Sequence, residues 1–118
     1  MSGACAQSAP LGVIQQLLVA IWPDAVKVRD SYRQLPLHIA CGKNAPIVVI
    51  QLLVETWSDA VNAKDMYGLL PLHHACGSNA PLDVIQLLVK TWPDGVKEKN
   101  MKGWLPLYCT CYMNAPLF

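Results

Sequence analysis

From Leu82 to Trp92, apolar residues fall three and four apart: Leu82, Ile85, Leu88 and Val89, with Val84 and Leu87 beside them. Asp83, Gln86 and Lys90 mark the other side. This is the period of a helix with one apolar stripe, and Pro93 stops it near Trp92. A shorter helical segment precedes it. Leu72, Ala75 and Cys76 share a face behind Leu70-Pro71, with Pro71 in the first turn, where a missing N–H costs nothing, and Gly77 at the end. Asn79-Ala80-Pro81 is predicted to open the longer helix, Asn79 satisfying its first N–H groups and Pro81 lying in its first turn. Ahead of both, Lys64-Asp65-Met66-Tyr67-Gly68-Leu69 is a polar turn. Gly68 supplies a positive φ there, and the Asp65 carboxylate braces the chain. Asp94-Gly95-Val96 is a loop leading to the next turn.

The whole pattern returns every 35 residues. Leu35-Pro36-Leu37-His38 recurs as Leu70-Pro71-Leu72-His73 and as Leu105-Pro106-Leu107-Tyr108. Trp22, Trp57 and Trp92 keep the step, as do Cys41, Cys76 and Cys111. One such unit cannot bury its own apolar face and must stack on a neighbour, so the expected fold is an all-α solenoid of helix-turn-helix units joined by short hairpin loops. The first long helix carries one extra residue, at Gln15 or Gln16, which predicts a local bulge or a shifted helix start. The chain reads as one repeat domain over residues 1–118, with units at about 4–29 (partial), 30–64, 65–99 and 100–118 (partial).

Composition narrows the function. Apolar residues make up 53% of 118, enough for a core. Charged residues are only 14% and the net charge is +1 with no Lys/Arg cluster, so no nucleic-acid partner is expected. No apolar run reaches the roughly 18 residues of a membrane span. Leu11–Trp22 has the apolar character of a signal-peptide core, but near-copies at 47–57 and 82–92 make it a building block of the array. Five cysteines, four of them following the repeat, do not form a secreted disulfide framework and fit a reducing, intracellular, cytoplasmic setting.

Asp65-Met66-Tyr67-Gly68-Leu69-Leu70-Pro71-Leu72-His73-His74-Ala75, followed by Val84-Ile85-Gln86-Leu87-Leu88, resembles the ankyrin repeat. The resemblance runs over residues 4–118 and implies an ankyrin-like α-solenoid that binds other proteins. There are departures. The unit has 35 residues, with one added between the helices and one after the long helix. Leu35, Leu70 and Leu105 stand where the family has Thr, so its Thr–His hydrogen bonding cannot form as such. Tyr108 replaces the third His, and Arg33 replaces a hairpin Gly where positive φ is disfavoured.

His38 with Cys41, and His73 with Cys76, are spaced i, i+3 on a helix, a pattern compatible with zinc or a Cys–His nucleophile. Packing inside the stack explains them better, because equivalent side chains in adjacent units stand about 8–10 Å apart. No metal, cofactor or catalytic residue is expected. Trp22, Trp57 and Trp92 are expected to pack under the inter-unit loops, and Asp24, Asp59 and Asp94 to brace loops or helix starts.

The hairpin tips keep the frame but change residues. Tyr32, Gln34, Met66, Tyr67, Leu69, Met101, Lys102 and Trp104 include the aromatic and Met side chains that interface centres favour. The ankyrin resemblance adds the exposed positions of the short helices, here Ile39, His74 and Thr110. The function expected is a protein–protein interaction module that presents these residues on a rigid frame. The rival is a purely structural segment of a longer array. The sequence opens near the end of a short helix and stops at Leu117-Phe118 as a long one would start, with no polar capping repeat. That phase predicts either a fragment of a longer array or end-to-end self-association.

Overall fold

The computed structural model describes residues 22–114. In chain order it has α1 (Pro36–Gly42), α2 (Ile47–Thr56), α3 (Pro71–Gly77), α4 (Leu82–Thr91) and α5 (Pro106–Asn114). Three 3-10 helices, Pro23–Lys27, Ser58–Asn62 and Pro93–Lys97, follow the tryptophans. No strand occurs among the described residues. The extra residue at Gln15 or Gln16, the opening segment and Leu117-Phe118 lie outside them.

Each unit is hairpin, short helix, long helix and 3-10 helix. Short helices pack on short helices (α1 on α3, α3 on α5) more closely than α2 packs on α4. Small residues permit the approach: Ala40 and Ala75 are buried between the short helices. The core is a continuous file of Leu35, Leu37, Ile50, Leu70, Leu72 and Leu88, all nearly or fully buried. A fully buried Leu contributes on the order of 1.5–3 kcal/mol.

Several local expectations need correction. The 3-10 helices stand where a plain loop was expected; each has Pro or Ser first, an Asp in its first turn and a C-terminal N–H bonded back three residues, as in Glu98 N–H to Gly95 O at 3.2 Å. α3 runs through Gly77, and the left-handed residue that ends the turn is Asn79 (φ 59°), with Asn44 (φ 57°) its counterpart. Asparagine tolerates this conformation better than most residues. Asn79 therefore terminates the short helix and does not cap the long one, for which Pro81 is the N-cap rather than a first-turn residue. Asn44 uses its amide instead to reach the next unit, donating to Ser78 O at 3.0 Å.

The buried stripe of α4 is also rotated from the one predicted. Val84 and Leu88 are buried, Ile85, Leu87 and Val89 are partly so, and Leu82 is 69% exposed. Leu82 is the first residue of the helix. Trp57 and Trp92 pack against the core as expected, and Lys27 Nζ lies 5.4 Å from the Trp57 ring centre. Trp22 does not follow them and is exposed.

The rotated stripe predicts a sharp contrast in urea unfolding. Leu88→Ala should cost about 2–5 kcal/mol, whereas Leu82→Ala should change stability by about 0.5 kcal/mol or less. Equal losses would restore the stripe read from spacing.

Candidate interaction surface

Each hairpin is built by one side-chain oxygen. Asp30 Oδ1 accepts from the N–H groups of Tyr32 and Gln34, both at 2.9 Å. Asp65 Oδ1 accepts from Tyr67 and Leu69, and Asn100 Oδ1 from Lys102 and Trp104. Such turns need a left-handed residue at the fourth position, supplied by Gly68 (φ 74°) and Gly103 (φ 80°). Arg33 adopts it too, at φ 61°, against the expectation for a residue with a Cβ. Arg29 holds the strained turn from outside, its guanidinium donating to Arg33 O at 2.7 Å and to Lys64 O at 3.0 Å.

Adjacent hairpins are stitched together by single backbone bonds, Met66 N–H to Tyr32 O and Met101 N–H to Tyr67 O, each 3.0 Å. Below them sit two buried histidines. Leu35 N–H donates to His38 Nδ1 at 3.0 Å, so the proton lies on Nε2, which donates to Ala63 O (2.9 Å) at the end of its own unit and to Leu69 O (3.1 Å) in the hairpin of the next. His73 repeats this, accepting from Leu70 N–H and donating to Trp104 O at 3.0 Å. The part of the Thr–His motif that uses only the backbone N–H thus survives the change to Leu. Burial pushes His38 down to about 4, against the pull of its bond to Ala63 O; burial also lowers His73.

His74 is specific to one unit. Its Nε2 donates to Asp65 Oδ2 at 2.9 Å, and its ring stands edge-on to His38 at 5.5 Å. Burial by itself would raise the Asp65 carboxyl, but the His74 bond and the Leu69 and Tyr67 N–H groups outweigh it, and the net shift is downward. The thiols move the opposite way. Burial, with Cys76 nearby, pushes Cys41 up to about 12, and burial also raises Cys76 and Cys109. Protonated thiols are weak nucleophiles and weak ligands. Among the described residues no group of three or more His, Cys, Asp or Glu side chains is placed to hold a metal ion.

The hairpins and short helices enclose a cleft of about 600 Å³. Tyr67, Leu69, Met101, Lys102 and Trp104 form its hairpin wall, and His74 with Ser78 lies on the α3 side. Trp104 is held edge-on to Tyr108 at 4.9 Å, and Lys102 Nζ lies 5.2 Å from the Trp104 ring centre. Tyr32 joins the same ridge by stacking on Tyr67 at 6.4 Å. Six of the sequence-predicted residues (Tyr67, Leu69, His74, Met101, Lys102, Trp104) therefore line one cleft. Tyr32 and Met66 are exposed on the ridge beside it, Gln34 is partly buried in its turn, and Ile39 is exposed on α1.

Thr110 is misplaced in the sequence reading. The 35-residue step from Ile39 and His74 leads to Cys109, which lines the cleft, while Thr110 aligns with the buried Ala40 and Ala75. It borders a second cleft of about 320 Å³ beside Leu72, Ile85 and Leu107. Strict use of the step would have found Cys109. Asn100 and Ser78 also line the main cleft and were missed, because polar turn residues carry no separate signal.

Comparison with family models gives a match to ankyrin repeats (three copies) over residues 3–102. The chain belongs to the ankyrin-repeat family. Comparison with curated proteins gives no match. Ankyrin repeats act generally as protein-interaction modules and not as enzymes. In these ankyrin units the buried histidines keep the hairpins attached to the stack. No helix among the described residues is long and apolar enough to cross a membrane.

The His38 geometry predicts acid sensitivity. The folded state holds the imidazole neutral down to about pH 4, whereas the unfolded chain binds a proton near 6.5. Its contribution is thus complete above pH 6.5, declines as pH falls toward 4, and has lost about 3 kcal/mol there. His73 acts in the same direction, and Asp65 extends the loss to lower pH. Urea unfolding from pH 7.5 to 4 should show this slope, and His38→Gln should flatten it. A wild-type profile without slope would mean that His38 protonates in place.

Proposed function

We propose that this chain is a protein-binding scaffold whose contact surface is the hairpin ridge with the concave face of the short helices. The observation that carries it is the cleft beside Trp104, Met101 and Tyr67, lined by side chains that change from unit to unit on an otherwise repeated frame. Aromatic side chains held on a rigid support lose little entropy when a partner docks, and a few such anchors supply most of the affinity of an interface. The whole of residues 1–118 acts as one domain in this reading. Tyr67→Ala with Trp104→Ala should weaken partner capture at least tenfold while far-UV circular dichroism stays unchanged. Loss of helicity in step with loss of binding would remove the ridge from the contact surface.

Stacking between copies is a second reading, favoured by one observation. Leu107 on α5 is 71% exposed, although Leu37 and Leu72 at the same repeat position are buried under the next unit. Light scattering after size exclusion over a concentration series tests it. Mass rising with concentration, and abolished by Leu107→Glu, is the outcome expected of stacking; a constant 13.0 kDa species would end that reading.

A further inference from the structure

The hairpin side of this chain carries an excess of positive charge. The hairpin segments 29–34, 64–69 and 98–104 carry Arg29, Arg33, Lys64, Lys99 and Lys102 against Asp30, Asp65 and Glu98. The three carboxylates are already engaged. Asp30 Oδ1 takes two turn amides, the fully covered Asp65 carboxylate takes two more and His74, and Glu98 Oε1 pairs with Lys64 Nζ at 3.0 Å. The five remaining acids, Asp24, Glu55, Asp59, Asp83 and Asp94, lie on the long and 3-10 helices, away from the cleft, where Lys27, Lys90 and Lys97 accompany them. Arg33 and Lys102 stay exposed at the hairpin tips, and Lys102 borders the cleft.

Resting on the protein-binding reading above, we propose that the cleft takes an acidic, extended peptide segment of the partner: one apolar or aromatic side chain seated between Tyr67, Met101 and Trp104, with carboxylates on either side reaching Lys102 and Arg33. The two cations are two hairpins apart. At about 10 Å per packed unit the span is about 20 Å, the length of about six extended residues. A carboxylate meeting Lys102 also meets a cation already poised over the Trp104 ring, so the apolar anchor and the charge are read at one point. A nucleic acid fits less well. Arg29 is spent on backbone carbonyls and Lys64 on Glu98, which leaves too few cations in line for a phosphate track.

The test is selection of a random dodecapeptide phage library on the immobilised full chain, followed by binding of synthetic selected peptides. The expected peptides pair Asp or Glu with one Trp, Phe or Leu. Their binding should fall about tenfold on Lys102→Glu, weaken with added salt and fall likewise on Trp104→Ala, the variants keeping wild-type circular dichroism. Neutral or basic peptides that still depend on Tyr67 and Trp104 would overturn the acidic specificity and leave the binding surface standing. Peptides indifferent to Tyr67→Ala and Trp104→Ala, or no selected peptide at all, would overturn both. Displacement of selected peptides by a 20-mer of thymidylate at equal concentration would overturn the peptide assignment in favour of nucleic acid.

Discussion

One buried, neutral imidazole per unit interface carries the architecture. His38 accepts the first orphan N–H of its own helix and donates to Ala63 O at the unit's end and Leu69 O in the next hairpin; His73 likewise accepts from Leu70 N–H and donates to Trp104 O one step later. Both side chains are essentially without solvent contact. Inside the stack no water replaces a lost partner, so each of these bonds is worth more in its absence than in its presence: an orphaned buried donor or acceptor costs about 1–3 kcal/mol. The same ring fixes the start of a helix and the height of the following hairpin. Where the histidine gives way to Tyr108, the side chain turns outward and supports Trp104 edge-on.

This arrangement separates stability from recognition. The apolar file from Leu35 to Leu88, the Asx-type oxygens of Asp30, Asp65 and Asn100 and the histidines repeat in kind, so the hairpin tips can change without cost to the frame. Tyr32, Tyr67 and Trp104 occupy a surface whose backbone is already fixed, and the carboxylates of that surface are engaged by turn N–H groups, His74 and Lys64. Positive charge is left over at the tips as a consequence of how the turns are made. The 14% charged composition makes the few exposed cations count for more than they would on a highly charged protein.

Much of this was legible in the order of residues. The 35-residue step, the Pro-opened short helices, the Trp-terminated long helices, the positive φ at Gly68 and the bracing role of Asp65 all follow from local rules, and all stand. Other features were decided by competition between neighbours. Arg33 takes a left-handed backbone because Arg29 and the stitched hairpins hold it there. Asn79 ends one helix instead of opening the next, since the inserted residue shifts the reversal past Gly77. Spacing alone also placed Leu82 in the buried stripe, whereas the neighbouring unit covers Val84 and Leu88.

The sequence by itself determined the fold class, the length of the unit, the succession of its elements and most of the residues that reach the ridge, because period, proline and turn chemistry act within a few residues. Only the tertiary structure decided which side chains share a cleft, which histidine faces Asp65, which carboxylates are spent and which cations remain. The cleft and the Lys64–Glu98 pair depend on contacts between residues about one repeat apart, and the Asp65–His74 pair on how a hairpin folds over its own short helix. The 35-residue step says that residues one repeat apart are equivalent, but it does not say how closely the short helices approach or which atoms then face each other.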